Sequence, residues 1–234
     1  MLFDLRGRGR RRTVQAIYLS LAVLMGGGLV LFGIGSSSSG GIVDAIVGDG
    51  STGDTATKTL DNRIKSALAK TRATPTEPAV WADLARLRFQ RAGVDGIKDD
   101  GTYTTKGKEK LALATDAWEE HLALDPKQPN VRVARLMVQA YSQAGISKPV
   151  DAMRAQQLVT AAEKPPNTKL YQQLAQLAYF AGENRIGDLA ADRAVDLVPE
   201  KERKELRDAL KAAKAQAAAQ AAQAAQTTTT PAVG

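Results

Sequence analysis

The chain has 234 residues, 44% of them hydrophobic and 24% charged, with a formal charge of +7 and no cysteine. The missing thiols exclude disulfides, thiolate nucleophiles, cysteine-ligated metals and lipoprotein anchoring. The charge is unevenly spread: residues 1–13 hold five arginines against Asp4, whereas the other 221 carry 27 basic and 24 acidic side chains. A body so close to neutral lacks the broad positive field that a phosphate backbone requires, which argues against nucleic-acid binding.

Residues 1–13, with Arg6, Arg8, Arg10, Arg11 and Arg12, read as a basic cytoplasmic segment. Residues 14–34 carry no charge over 21 positions. As a helix they would span about 31 Å, enough for a hydrocarbon core of ~30 Å, so they are predicted to be a transmembrane helix. Gly26, Gly27 and Gly28 are its weak point, since glycine costs helix propensity. No basic residue follows until Lys58. The asymmetry of positive charge therefore predicts a cytoplasmic N-terminus and an extracytoplasmic remainder. A cleaved signal peptide is the rival, with Gly33-Ile34-Gly35 before Ser36 as the small-x-small site, although the apolar stretch exceeds the usual signal core. Residues 35–58, rich in Ser, Gly, Thr and Asp, read as a flexible linker interrupted by an apolar island around Ile42 and Ile46.

Residues 59–213 read as a helical domain with one interruption. A helix from Thr59 to about Thr71, with Leu60, Ile64 and Leu68 on one face, is expected to cap the first of three helix pairs. That first pair opens at Pro78 with Trp81, Leu84 and Ala85; its second helix carries Ala114, Trp118 and Leu124 and stops at Asp125-Pro126. Residues 93–107, rich in Gly, Asp and Thr, interrupt this pair. The second has Ala134, Met137, Val138, Tyr141 and Gly145, then Ala155, Val159 and Ala162, and stops at Pro165-Pro166. The third has Tyr171, Leu174 and Ala175, a turn at Gly182, then Gly187 and Ala194 with a stop at Pro199. A last helix runs from Glu200 to about Gln226, and residues 214–234 read as a fraying Ala/Gln-rich helix end with a disordered Thr-rich tail.

The spacing of the third pair resembles a tetratricopeptide repeat of 34 residues, and the likeness extends over about residues 77–201. It departs from the pattern at Ala178 and Ala191, where aromatics are usual, and at His121, where a small residue is usual. The resemblance implies an all-α fold: a TPR-like helical-hairpin solenoid of about three degenerate repeats with capping helices, preceded by one transmembrane helix. An ordinary helical bundle is the alternative. His121 is expected on the helix surface.

In such a solenoid the first helix of each pair lines the concave side. The resemblance thereby implies inward positions at Ala79, Ala82, Arg86, Phe89 and Gln90, then Arg132, Arg135, Gln139, Ser142 and Gln143, then Lys169, Gln172, Gln176, Tyr179 and Phe180. Four are basic and none acidic. This set suits a peptide carrying a carboxylate: Arg pairs with the acid, Gln with the peptide backbone, aromatics with apolar anchors. The bland alternative is a solvated helix face.

No catalytic constellation emerges. A lone His121 cannot build a histidine metal cluster, and the common triads are unavailable. Asp95, Asp99 and Asp100 lack the oxygen spacing of a calcium loop, and no Gly-rich phosphate loop is present. The expectation is a protein that is not an enzyme and takes no cofactor or metal.

Phe3-Asp4-Leu5-Arg6, the arginine cluster and Phe32-Gly33-Ile34-Gly35 resemble the anchors of bacterial membrane-bound parvulin-type chaperones and of the single-span repeat proteins that accompany them near the Sec translocon. Nothing downstream resembles a parvulin domain, so isomerase activity is not implied. The likeness implies a single-pass protein of the bacterial inner (plasma) membrane with its C-terminal domain outside. The expected function is a cell-envelope scaffold mediating protein–protein interaction with chaperones, translocon components or exported clients. Two alternatives stand beside it: an assembly factor that holds an unfolded client as in cytochrome c maturation, and an exported soluble binding protein.

Overall fold

The computed structural model describes residues 52–98 and 100–228, and every described element of regular secondary structure is helical apart from one isolated β-bridge. Among the described residues eight helices follow one another: α1 (Thr52–Ala73), α2 (Pro78–Gly96), α3 (Thr105–Ala123), α4 (Val131–Ala140), α5 (Pro149–Ala162), α6 (Thr168–Phe180), α7 (Asn184–Asp196) and α8 (Glu200–Thr228). The predicted basic segment, the transmembrane span and residues 229–234 of the tail lie outside the described residues. Among the described residues no helix is long and apolar enough to cross a membrane.

Local chemistry sets most of the boundaries. Pro78 and Pro149 stand in the first turns of α2 and α5, where the missing N–H has no intrahelical partner to lose. Side-chain caps start three others: Thr104 accepts from the Gly107 N–H at 3.1 Å, Asn130 from Val133 at 3.2 Å and Asn167 from Lys169 at 2.9 Å. The α6–α7 turn is a Schellman closure. Gly182 takes φ +77°, and the Gly182 and Glu183 N–H groups donate to Tyr179 and Ala178 carbonyls at 3.1 and 2.8 Å.

Two boundaries differ from the sequence-based expectation. Residues 35–51 of the expected linker lie outside the described residues, and residues 52–58 are helical, part of α1. Helix α2 continues to Gly96, which narrows the interruption from residues 93–107 to the eight residues between α2 and α3. That connection is tightly built. Ile97 and Tyr103 form the isolated antiparallel bridge, Lys98 N–H donates to Thr102 at 2.8 Å, and Asp100 Oδ1 accepts from the Thr102 N–H at 2.9 Å. Gly96 and Gly107 meet backbone to backbone at its base. A Cβ on either would lie 2.5 Å from backbone of the other. The Tyr103 N–H reaches the Ala144 carbonyl at 3.1 Å and so ties the bracket to the α4–α5 connection.

The helices pack in succession: α2 on α3, α4 on α5, α6 on α7, with α5 against α6 and α8 lying on both α6 and α7. The connection within a pair is eight residues for α2–α3 and α4–α5 and three for α6–α7. The buried side chains form two clusters. The first gathers Leu60, Leu84, Leu111, Trp118, Val133, Met137 and Val159 with many alanines from α1 to α5. The second gathers Met153, Leu174, Tyr179, Val195 and Leu210 with alanines of α6, α7 and α8. Helix α5 contributes to both. Ala85, Ala114, Ala134, Ala175 and Ala194 are each 0% exposed, and their small size lets the helices approach closely.

His121 corrects an expectation. It is buried rather than on the surface, stacked on Trp118 with ring centroids 4.9 Å apart. Its Nε2 accepts from the Asn130 N–H at 3.2 Å, which leaves the proton on Nδ1, directed at the Pro78 carbonyl 2.8 Å away. One imidazole thus joins the start of α2 to the cap of α4. The signal in the sequence is the misfit itself: a large polar ring at a small-residue position needs partners, and the two neighbouring connections supply them.

Candidate functional site

The proposed binding positions fall on three first-of-pair helices, and the structure treats the three differently. On α2, Ala79 is exposed but Ala82 is buried at 1%, and Phe89 packs against the first cluster. Ala82 is therefore core, not groove. Arg86 pairs with Asp83 one turn earlier and donates to Gln90 Oε1 at 3.4 Å. The polar stripe of α2 is thus satisfied from within its own helix.

On α4, Arg132, Arg135 and Gln139 are exposed along one face. Arg135 donates to Glu163, just beyond α5, at 3.0 Å. Ser142 and Gln143 lie past the end of α4, where the Ser142 hydroxyl donates to the Gln139 carbonyl at 2.7 Å. Arg132 meets no carboxylate among the described residues. Two acids thus temper the purely basic set that the sequence offered. Asp83 is legible as an i,i+3 partner of Arg86; Glu163 is 28 positions from Arg135 and carries no local signal.

On α6, Lys169 and Phe180 are exposed, Phe180 to 47%, and Gln172 and Gln176 are half-buried between them. None of these four side chains makes a hydrogen bond or ion pair to another described residue. Gln173, on the flank, is different: its Oε1 accepts from Gln156 of α5 at 3.3 Å.

Tyr179 is the second correction. It is 6% exposed, and its ring lies where a Cβ on Gly187 would come within 2.4 Å. Only glycine lets the ring rest on α7. The hydroxyl donates to Asp188 at 3.0 Å, and Lys214 of α8 donates to both oxygens of that carboxylate at 2.8 and 2.7 Å. Burial, with the adjacent Asp188, pushes the Tyr179 hydroxyl well above the usual phenol range. It therefore stays protonated and acts as a donor. The Lys214 hydrogen bond holds the Asp188 carboxyl below its ordinary value, against some desolvation. This trio fastens α6, α7 and α8 together at the surface, with only the Tyr179 ring buried, so the tyrosine packs onto α7 instead of joining the exposed stripe of α6.

Comparison with protein-family models, with curated proteins and with solved structures finds no match.

Proposed function

We propose that residues 59–213 form a TPR-like solenoid of three degenerate hairpins, and that the chain is a membrane-anchored scaffold of the bacterial cell envelope. In this reading residues 14–34 span the inner membrane, the N-terminus is cytoplasmic, and the helical domain binds protein segments outside. Chaperones, translocon components or exported clients are the partners it would hold, and the tether would raise their local concentration. Support for the solenoid comes from successive packed helix pairs with buried alanines and proline stops after α3, α5 and α7. The observation that carries the binding role is Arg132 on α4 with Lys169, Gln172 and Gln176 on α6, whose polar ends find no partner among the described residues. Exposed cations and half-buried amides provide donors for a partner's carboxylates and backbone carbonyls.

The test is a crosslinked pull-down from detergent-solubilised membranes, comparing wild type with Arg132→Glu/Lys169→Glu. Both side chains are exposed, so helicity by circular dichroism should be unchanged. Capture of specific partners should fall at least about tenfold, the size expected from losing even one of the two charge-assisted contacts. Equal capture by both proteins would remove the stripe from the function.

A further inference from the structure

The three stripes differ in one respect that bears on what they bind. That of α2 is closed by Asp83 and Gln90, and that of α4 is half-closed by Glu163. On α6, Lys169, Gln172, Gln176 and Phe180 all stand without a partner. Successive members are three or four residues apart, so they share one helix face in the order cation, amide, amide, aromatic. From Lys169 to Phe180 the helix rises about 16 Å. An extended chain covers that distance in about five residues, at roughly 3.3 Å each.

We infer that the segment read by this face is an extended peptide with an acidic residue at one end and a large apolar residue about five positions away. This rests on the protein-binding reading and specifies its ligand. The acid pairs with Lys169. The amides of Gln172 and Gln176 donate to and accept from the peptide backbone between, as an unpaired strand requires. Phe180, half-exposed at the far end, supplies an apolar surface that water covers in the free protein. The charge selects the acid, and the stripe's length sets the interval.

A lipid surface would answer to the same cations but not to the rest of the stripe. The exposed large hydrophobics among the described residues are Ile97, Leu113, Phe180 and Leu189. Of these only Phe180 lies on α6, about 16 Å along the helix from Lys169, so no cluster of them accompanies that charge on α6.

The experiment is selection of random twelve-residue peptides, displayed on phage, against the purified full-length chain in mild detergent. The enriched sequences should carry Asp or Glu about five positions from Leu, Ile, Phe or Trp. A fluorescent version of the best peptide should bind about tenfold more weakly to Lys169→Glu and about fivefold more weakly to Phe180→Ala. Its affinity for Arg86→Gln should stay within about twofold of wild type, because Arg86 is already occupied by Asp83. Enriched peptides without an acid, with no preferred interval, or sensitive to Arg86→Gln rather than Lys169→Glu would overturn this inference and leave peptide binding standing. A selection that enriches nothing would overturn both. So would binding of the chain to phosphatidylglycerol vesicles that is lost in Lys169→Glu while no peptide competes.

Discussion

Gly107→Ala should destabilise the helical domain by about 3 kcal/mol, near the upper end of the usual cost of overpacking. The added methyl would meet the Gly96 carbonyl oxygen at 2.5 Å and the Gly96 Cα at 2.8 Å. Both are backbone atoms, so no rotamer change can relieve the clash. The same carbonyl accepts from the Thr104 N–H at 2.7 Å, and Thr104 caps α3. Displacing it therefore disturbs the helix start as well. A control lies one turn upstream. A methyl on Gly93 has Ile97 Cδ1 as its nearest neighbour, at 3.9 Å. Gly93→Ala should therefore stabilise α2, by about 0.5–1 kcal/mol, because alanine loses less backbone entropy. Urea midpoints at unchanged slope measure both. If Gly107→Ala melts with wild type, the helices are not in contact there.

Trp118→Ala carries the other large effect, about 3–5 kcal/mol, typical of deleting a fully buried tryptophan. The side chain is 1% exposed and central to the first cluster. His121→Ala should cost less, about 2–3 kcal/mol, chiefly by orphaning the Asn130 N–H and the Pro78 carbonyl. Because the two rings stack, the double variant should lose less than the sum of the singles. A double-mutant cycle by urea denaturation reads this directly. Strict additivity would mean that Trp118 does not orient the imidazole.

Helix starts and stops are legible in the sequence wherever a residue acts through its own backbone. Pro78 and Pro149 lack a donor, and Gly182 tolerates positive φ; each marks its boundary. The C-terminal extent of α2 is hidden, because Gly93, Asp95 and Gly96 have poor helix propensity and packing against Gly107 overrides it. His121, Glu163 and Tyr179 escape sequence reasoning for a common reason. Their partners lie in other helices or connections, and a periodic pattern reports which face a residue occupies without saying what stands opposite. For Tyr179 a clue exists in Gly187, whose spacing marks a small packing position. What it makes room for is the tyrosine ring. The basic stripe is visible as charge, but only the fold distinguishes the arginines that have acids beside them from Arg132 and Lys169.

The division of the core into two clusters joined by α5 has a consequence for partial opening. The second cluster is smaller and lacks a tryptophan. With less apolar area to lose, α6, α7 and α8 should form the cooperative unit that opens first, while α2 and α3 exchange their amide hydrogens only on global unfolding. Since α6 carries the unpartnered stripe, a bound peptide would stabilise the weaker unit and slow exchange there in preference to α2. Amide exchange with and without the selected peptide would show this as added protection confined to the C-terminal helices; equal protection throughout would mean the domain opens as one. Client occupancy and the integrity of this half would then be two readings of a single equilibrium.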